Sequence, residues 1–167
     1  MILIKFLNLF LISFICFNLG MLKAKMYENR VLELNKFQSG LVMFKSKLEF
    51  TYETIGDVFL EISQIIYENN NNIFIDTLKD NRDLYISWAE AVDNEKNGFN
   101  FEDKEIIKMF GKLLGKTDIN GQLSQIELTQ NLIKKQIEKA EYEKDKNSKL
   151  YKTLGIISGM AICIILV

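Results

Sequence analysis

The sequence predicts an all-α protein: an antiparallel helical bundle of about six helices, tethered by an N-terminal and a C-terminal membrane helix. Three observations carry this expectation. Apolar residues recur at spacings of three and four along most of the polar middle of the chain, which is the helical period. No proline interrupts that pattern. Each end holds an uncharged apolar run bordered on its inner side by basic residues. The expected organisation is a transmembrane anchor at residues 1–25, a cytoplasmic helical domain at 26–150 and a second transmembrane segment at 151–167.

The first run, Phe6 to Leu22, carries no charge over seventeen positions. As a helix it would extend about 25 Å, close to the thickness of a hydrocarbon core. Lys23, Lys25 and Arg30 follow it, against Lys5 and the α-amine before it, which favours an uncleaved anchor with the downstream side in the cytoplasm. At the other end, Leu154 to Val167 is again uncharged and follows Lys144, Lys146, Lys149 and Lys152, so the positive side is the same. That run reaches only about 21 Å and spans if Tyr151 to Thr153 join it or the bilayer thins. Gly155 and Gly159 form a small-xxx-small pair suited to close approach of another helix.

Between the ends, Leu34, Phe37, Leu41, Phe44 and Leu48 line one face of a first helix, from about Tyr27 to Thr51. Val58, Phe59, Ile62, Ile65 and Ile66 continue the period until Asn69 to Asn72, whose side chains compete for backbone bonds. A short helix follows over Ile73 to Leu78. Leu84, Trp88, Ala91 and Val92 stripe a fourth, which stops near "NEKNG" at 94–98. Phe101 to Leu114 is a fifth, its start favoured by Glu102, Asp103 and Glu105 at the positive end of the helix dipole. The last begins near Asp118, turns Leu123, Ile126, Ile133, Ile137 and Ala140 inward, and becomes solvated over 141–149.

Composition narrows the chemistry. With no histidine, and with Cys16 and Cys163 each inside an apolar terminal run, the usual general base, zinc ligands and thiol nucleophiles are missing from the polar middle. A net charge of -1 argues against a nucleic-acid partner held by bulk electrostatics. Glu90, Asp93 and Glu95 read as a solvated helix face, and Trp88 as core or interface. No catalytic, cofactor-binding or metal-ligating residue is assigned.

One stretch, "GKLLGKTDINGQ" at 111–122, resembles chemistry. A phosphate-binding loop places four residues between its first glycine and Gly-Lys-Thr, so that consecutive N–H groups wrap a phosphate. Gly111 and Gly115 are separated by three, and the residues before them have a helical period. A calcium loop fails as well, since from Asp118 the twelfth position is Thr129 where a bidentate glutamate belongs. The stretch instead reads as a helix corner: Gly111 late in one helix, Gly115 in a left-handed position beyond its end, and Thr117 or Asp118 capping the next.

These residues also carry a resemblance. The anchor, the first helix with Tyr27, Arg30, Glu33-Leu34, Leu41, Leu48-Glu49 and Tyr52, the "SWAEAV" helix around Trp88, and the corner Gly111-x-x-x-Gly115-x-x-Asp118-x-x-x-Gln122 resemble the stage III sporulation protein AB family of endospore-forming bacteria. The likeness covers essentially the whole chain and departs at Thr54-Ile55-Gly56, where relatives often carry proline and leucine. That family is similar to the cytoplasmic domain of the type II secretion F protein, a platform component. The resemblance implies a non-enzymatic scaffold of the mother cell–forespore channel, set in the mother-cell-derived outer forespore membrane. Its domain would face the mother-cell cytoplasm, with a cytosolic secretion ATPase and other channel membrane proteins as partners. Gly111, Gly115, Asp118 and Gln122 are then a helix corner or a partner interface. Two other readings stay open: a phosphate- or nucleotide-binding membrane enzyme, suggested by Gly115-Lys116-Thr117, and an exported helical protein with a cleaved signal peptide.

Overall fold

A computed structural model describes the backbone of residues 2–51, 53–67, 72–79, 82–96, 98–112 and 114–166; the side chains of 2–10, 12, 163, 165 and 166 also lie outside the description. Tyr52, Asn69 to Asn71, Asn97 and Leu113 are thus outside it. So is part of each terminal apolar run, residues 6–10 and 12 of the first and 163 and 165–167 of the second. Among the described residues no helix is long and apolar enough to cross a membrane.

The described chain is all-helical, with six α-helices and one π turn: α1 Ile2–Phe50, α2 Ile55–Ile62, the π turn Ser63–Tyr67, α3 Ile73–Leu78, α4 Leu84–Asn94, α5 Phe101–Gly111 and α6 Ile119–Leu166. α1 therefore runs on from the apolar end into the first amphipathic stripe, where the periodicity predicts a start near Tyr27. α5 ends at Gly111, three residues before the expected Leu114. The residues divide into two compact units, Leu32–Glu138 and a terminal unit made of Met1–Val31 with Lys139–Val167.

Short polar side chains set the starts of the inner helices. Thr54 accepts the Asp57 N–H at 3.2 Å, Asn72 accepts those of Phe74 and Ile75, and Asp83 accepts those of Tyr85 and Ile86. Asn100 and Asp103 form a reciprocal capping box at the head of α5, with bonds of 2.8 and 3.0 Å. Each bond satisfies a helix-end donor that would otherwise be unpaired. α2 begins within the Thr54-Ile55-Gly56 segment, so the capping threonine serves there without proline.

The core of the Leu32–Glu138 unit is aromatic. Trp88 is fully buried, with ring centroids 5.5 Å from Phe59, 5.6 Å from Phe74, 5.5 Å from Phe110 and 6.3 Å from Phe37. Edge-on and tilted arrangements predominate, which place the positive rim of one ring against the negative face of another. Leu34, Leu41, Phe44, Val92, Ile107, Ile126 and Ile133 close the core around them. Leu48, Leu84, Leu123 and Ile137 are only half-buried.

One stretch of the stripe is corrected. Ile65 is 60% exposed and Ile66 half-buried, whereas Ser63 and Tyr67 are buried in their place. The cause is the π turn, which adds one residue to the helical turn and so rotates the residues beyond it by about 100° relative to an α-helix. The buried Ser63 is satisfied, since its hydroxyl oxygen accepts Asn72 Nδ2 at 2.7 Å. The Tyr67 hydroxyl is also buried and has no hydrogen-bond partner among the described residues. Burial, with Glu33 and Glu95 adding like charge, raises its phenol above the usual range.

Tyr67→Phe should accordingly keep the fold and leave stability at neutral pH unchanged or raised by up to about 1 kcal/mol, because an unpaired buried hydroxyl is removed. The parent protein should lose stability as pH rises beyond the unfolded phenol value of about 10, since only the unfolded chain ionises there, and the Phe variant should lose less. Urea unfolding followed by circular dichroism at neutral and alkaline pH measures both. A less stable Phe variant at neutral pH would show that the hydroxyl is bonded.

Candidate functional site

The corner between α5 and α6 brings together the residues that the sequence singles out. α5 ends as the Lys112 N–H bonds back to the Met109 carbonyl at 3.3 Å. Gly115 has φ +70°, a left-handed conformation that costs a side-chain-bearing residue strain and costs glycine none. Asp118 then heads α6: its Oδ1 accepts the Gly121 N–H at 3.0 Å and its carbonyl accepts the Gln122 N–H at 3.0 Å. Gln122 reaches back and donates from Nε2 to the Thr117 carbonyl at 3.0 Å. The four corner residues thus play separate parts, and only Asp118 and Gln122 act on the same helix end.

Gly111 is explained by Trp88. A methyl group built on Gly111 would overlap Cδ1 of the indole, so the α5 backbone lies directly on the ring. One turn earlier on α5, the Ile107 carbonyl accepts the Trp88 Nε1–H at 2.8 Å. The indole is therefore held by its polar atom and by its face against the same helix. That contact joins two candidates, Trp88 and Gly111, that lie far apart in sequence, and no periodicity announces it.

Lys116 points away from any phosphate-cradle arrangement. Its ammonium is 3.9 Å from Asp83 Oδ2 and 5.9 Å from the Tyr85 ring centroid, both at the start of α4. Lys112, Gly115, Lys116, Asp118, Ile119 and Asn120 form the exposed side of the corner. The acidic residues at 90–95 do not converge. Glu90 pairs with Arg82 at 2.6 Å, Asp93 pairs with Lys108 at 2.6 Å, and the Glu95 carbonyl accepts from Lys104. The bond to Asp93 is the main reason that the Lys108 ammonium is held above its usual range. Among the described residues no three of His, Cys, Asp and Glu gather in a group able to hold a metal ion.

The terminal unit contains polar contacts that the sequence does not announce. Residues 13–31 and 139–159 lie antiparallel, with Gly20 on Gly155 and Ser13 on Gly159. A methyl on Gly20 would stand 3.1 Å from Gly155 Cα, and one on Gly159 would stand 2.7 Å from Ser13 Oγ. The helix that approaches the Gly155 and Gly159 face is thus the chain's own N-terminal segment. Beyond the glycines, Tyr27 stacks on Tyr151 at 6.0 Å, Lys152 bonds Glu28 at 2.9 Å, and Arg30 bonds Glu143 at 2.6 Å. Arg30 and Ser148 are buried, so the length 141–149 is not uniformly solvated as expected. The only sequence signal for these pairs is opposite charge on the stretches that border the two apolar runs, which by itself names no partners.

Fold and corner together define an all-helical protein with a hydrogen-bonded helix-to-helix corner, and with no assembled catalytic group among the described residues. The chain belongs to the stage III sporulation protein AB family, whose sequence profile matches residues 5–167, and this connects it to sporulation. It is similar to Stage III sporulation protein AB of Bacillus subtilis (strain 168), with 21% identity over 153 residues that cover 88% of this chain and 90% of the relative. A solved structure of Stage III sporulation protein AB has the same fold, with a TM-score of 0.62 and 15% identity over 70% of this chain and 96% of that one.

Gly111→Ala should destabilise by about 1–3 kcal/mol through overpacking, and Trp88→Ala by about 3–5 kcal/mol through loss of the central ring. The two should not add. On a Trp88→Ala background the Gly111→Ala change should cost much less, because the added methyl then meets a space. Urea unfolding of the four proteins in a double-mutant cycle checks this, and strict additivity would refute the contact.

Proposed function

We propose that this protein is a non-enzymatic membrane platform component of the mother cell–forespore channel, and that its Leu32–Glu138 unit docks a cytosolic secretion ATPase. The family's part in sporulation sets the context. The observation that carries the platform reading is the surface of the terminal unit: Phe14, Leu19 and Leu22 on one strand of the helical pair, and Leu154, Ile157 and Met160 on the other, are between 48% and 61% exposed. An exposed apolar band on a closely apposed helical pair suits lipid as its solvent, since water would be driven off that surface. Small residues between the two segments match the way membrane helices associate. The apolar run at 6–22 and the basic residues inside both runs support the same hairpin topology.

The membrane is then the mother-cell-derived outer forespore membrane, with the helical domain in the mother-cell cytoplasm and other channel membrane proteins alongside. The corner is the surface proposed to meet the ATPase. It is exposed, carries Lys112, Lys116, Asp118 and half-exposed Ile119, and is fixed from beneath by the Trp88–Gly111 contact. A rigid surface loses little conformational entropy on binding.

Topology is tested in a background with Cys16→Ser and Cys163→Ser, with single cysteines at exposed Asn94 and Asn131. Both should resist an impermeant thiol reagent in intact cells and react after permeabilisation. Reaction in intact cells would overturn the orientation.

Asp118 separates capping from docking. Asn accepts the same Gly121 N–H bond, so for a cap alone Asp118→Asn is nearly silent while Asp118→Ala loses about 0.5–2 kcal/mol. If the carboxylate also pairs with a cation on the ATPase, Asp118→Asn folds normally yet weakens binding by about 2 kcal/mol or more. Capping is expected to dominate, so the Asn variant should unfold like the parent and form spores. A stable Asn variant that forms none would make Asp118 an interface residue.

A further inference from the structure

We propose that the polar end of the helical pair in the terminal unit binds the phosphodiester headgroup of an anionic phospholipid. This rests on the membrane reading above and adds to it a specific lipid site.

A cleft of about 400 Å³ is lined there by Glu28, Lys144, Asp145, Ser148, Lys149 and Lys152. Its charges are not equally available. Glu28 is occupied from within: Lys152 Nζ lies 2.9 Å from its Oε1, and the Ser148 hydroxyl donates to the same oxygen at 3.3 Å. Lys144 and Lys149, in contrast, form no ion pair within 4 Å among the described residues, although Lys144 is near enough to Glu28 to help hold that carboxyl below its usual range. Lys23, Lys25 and Lys146, nearby in sequence on the two segments, likewise form no such pair. Three ammonium groups against two carboxylates leave the cleft with a net charge of +1. Lys144 and Lys149 make no direct bond to a carboxylate and so present the ammonium hydrogens that an anion would accept.

Chemistry on the side toward the apolar runs decides what kind of anion fits. The exposed side chains next along the pair are Leu22 and Met26 on one segment and Leu150 and Leu154 on the other. A soluble phosphate would gain nothing from that apolar border. A molecule with a phosphate at one end and acyl chains at the other meets both: its phosphate oxygens accept from Lys144 and Lys149 while its chains cover the leucines. The carboxylate of Glu28, already bonded on the wall of the cleft, disfavours a second negative group and so suits a head with a single phosphate charge.

The test uses the full chain inserted into phosphatidylcholine vesicles that contain a small fraction of either spin-labelled phosphatidylglycerol or spin-labelled phosphatidylcholine, with immobilised label as the readout. Phosphatidylglycerol should associate about tenfold more strongly than phosphatidylcholine, as expected when lysine charges act on an anionic lipid. Lys144→Gln with Lys149→Gln should abolish the preference, and Lys144→Arg with Lys149→Arg should keep it. The pair Lys134→Gln with Lys135→Gln, exposed but outside the cleft, should leave it unchanged. Equal immobilisation of the two lipids would overturn the proposal. So would an equal loss in the Lys134 and Lys135 pair, which would mean bulk charge, or displacement by excess inorganic phosphate, which would mean a free-anion site. Failure to insert into phosphatidylcholine vesicles would overturn the membrane reading along with it, whereas insertion without lipid preference would remove only the headgroup site.

Discussion

The seating of one indole ring under one glycine governs the helical domain. Trp88 is fully buried, ringed by four phenylalanines, and its single polar atom is satisfied by the Ile107 carbonyl. Because a side chain at Gly111 would strike the ring, α5 can approach only with glycine there. α5 ends at that same glycine, after which Gly115 takes the left-handed conformation and Asp118 caps the next helix. A large flat side chain and an absent one are thus a single device, and the corner is its visible end.

Polar satisfaction organises the rest of that domain. Helices of six to eleven residues are too short to be stable alone, so their ends matter as much as their faces. Thr54, Asn72, Asp83 and Asn100 each close a helix start. Asn72 does more, since its amide also holds Ser63 on the π turn. That turn brings Ser63 and Tyr67 into the core and leaves Ile65 facing outward, an exchange of apolar for polar burial that a regular α-helix would not make. The bond from Asn72 helps to make the buried serine tolerable.

The terminal unit follows a different rule. Its two segments meet through Gly20, Gly155, Gly159 and Ser13, with large apolar side chains directed outward, the reverse of the aromatic core. At its polar end the pair is held by charge: Lys152 on Glu28, which holds that carboxyl below its usual range, and Arg30 on Glu143. The Arg30 side chain is only 10% exposed while Glu143 keeps 34%, so the pair is shielded from solvent mainly on the arginine side. Backbone proximity at one end and paired charges at the other keep the segments in register.

The sequence by itself determined the helical class, the order of the inner helices and most of their buried positions, because a 3.6-residue period and capping side chains are local properties that neighbouring residues express. It also announced the corner, since glycine spacing and an Asp before a helix have local meaning, and the family resemblance was carried by those same residues. Tertiary structure alone decided the rest. The π turn that exchanges Ile65 for Tyr67, the demand of Trp88 for glycine at 111, and the pairing of Gly155 with the chain's own Gly20 each join residues between nine and 135 positions apart. Such contacts are steric and electrostatic facts about two backbones in one place, and no local pattern encodes which distant residue will arrive there.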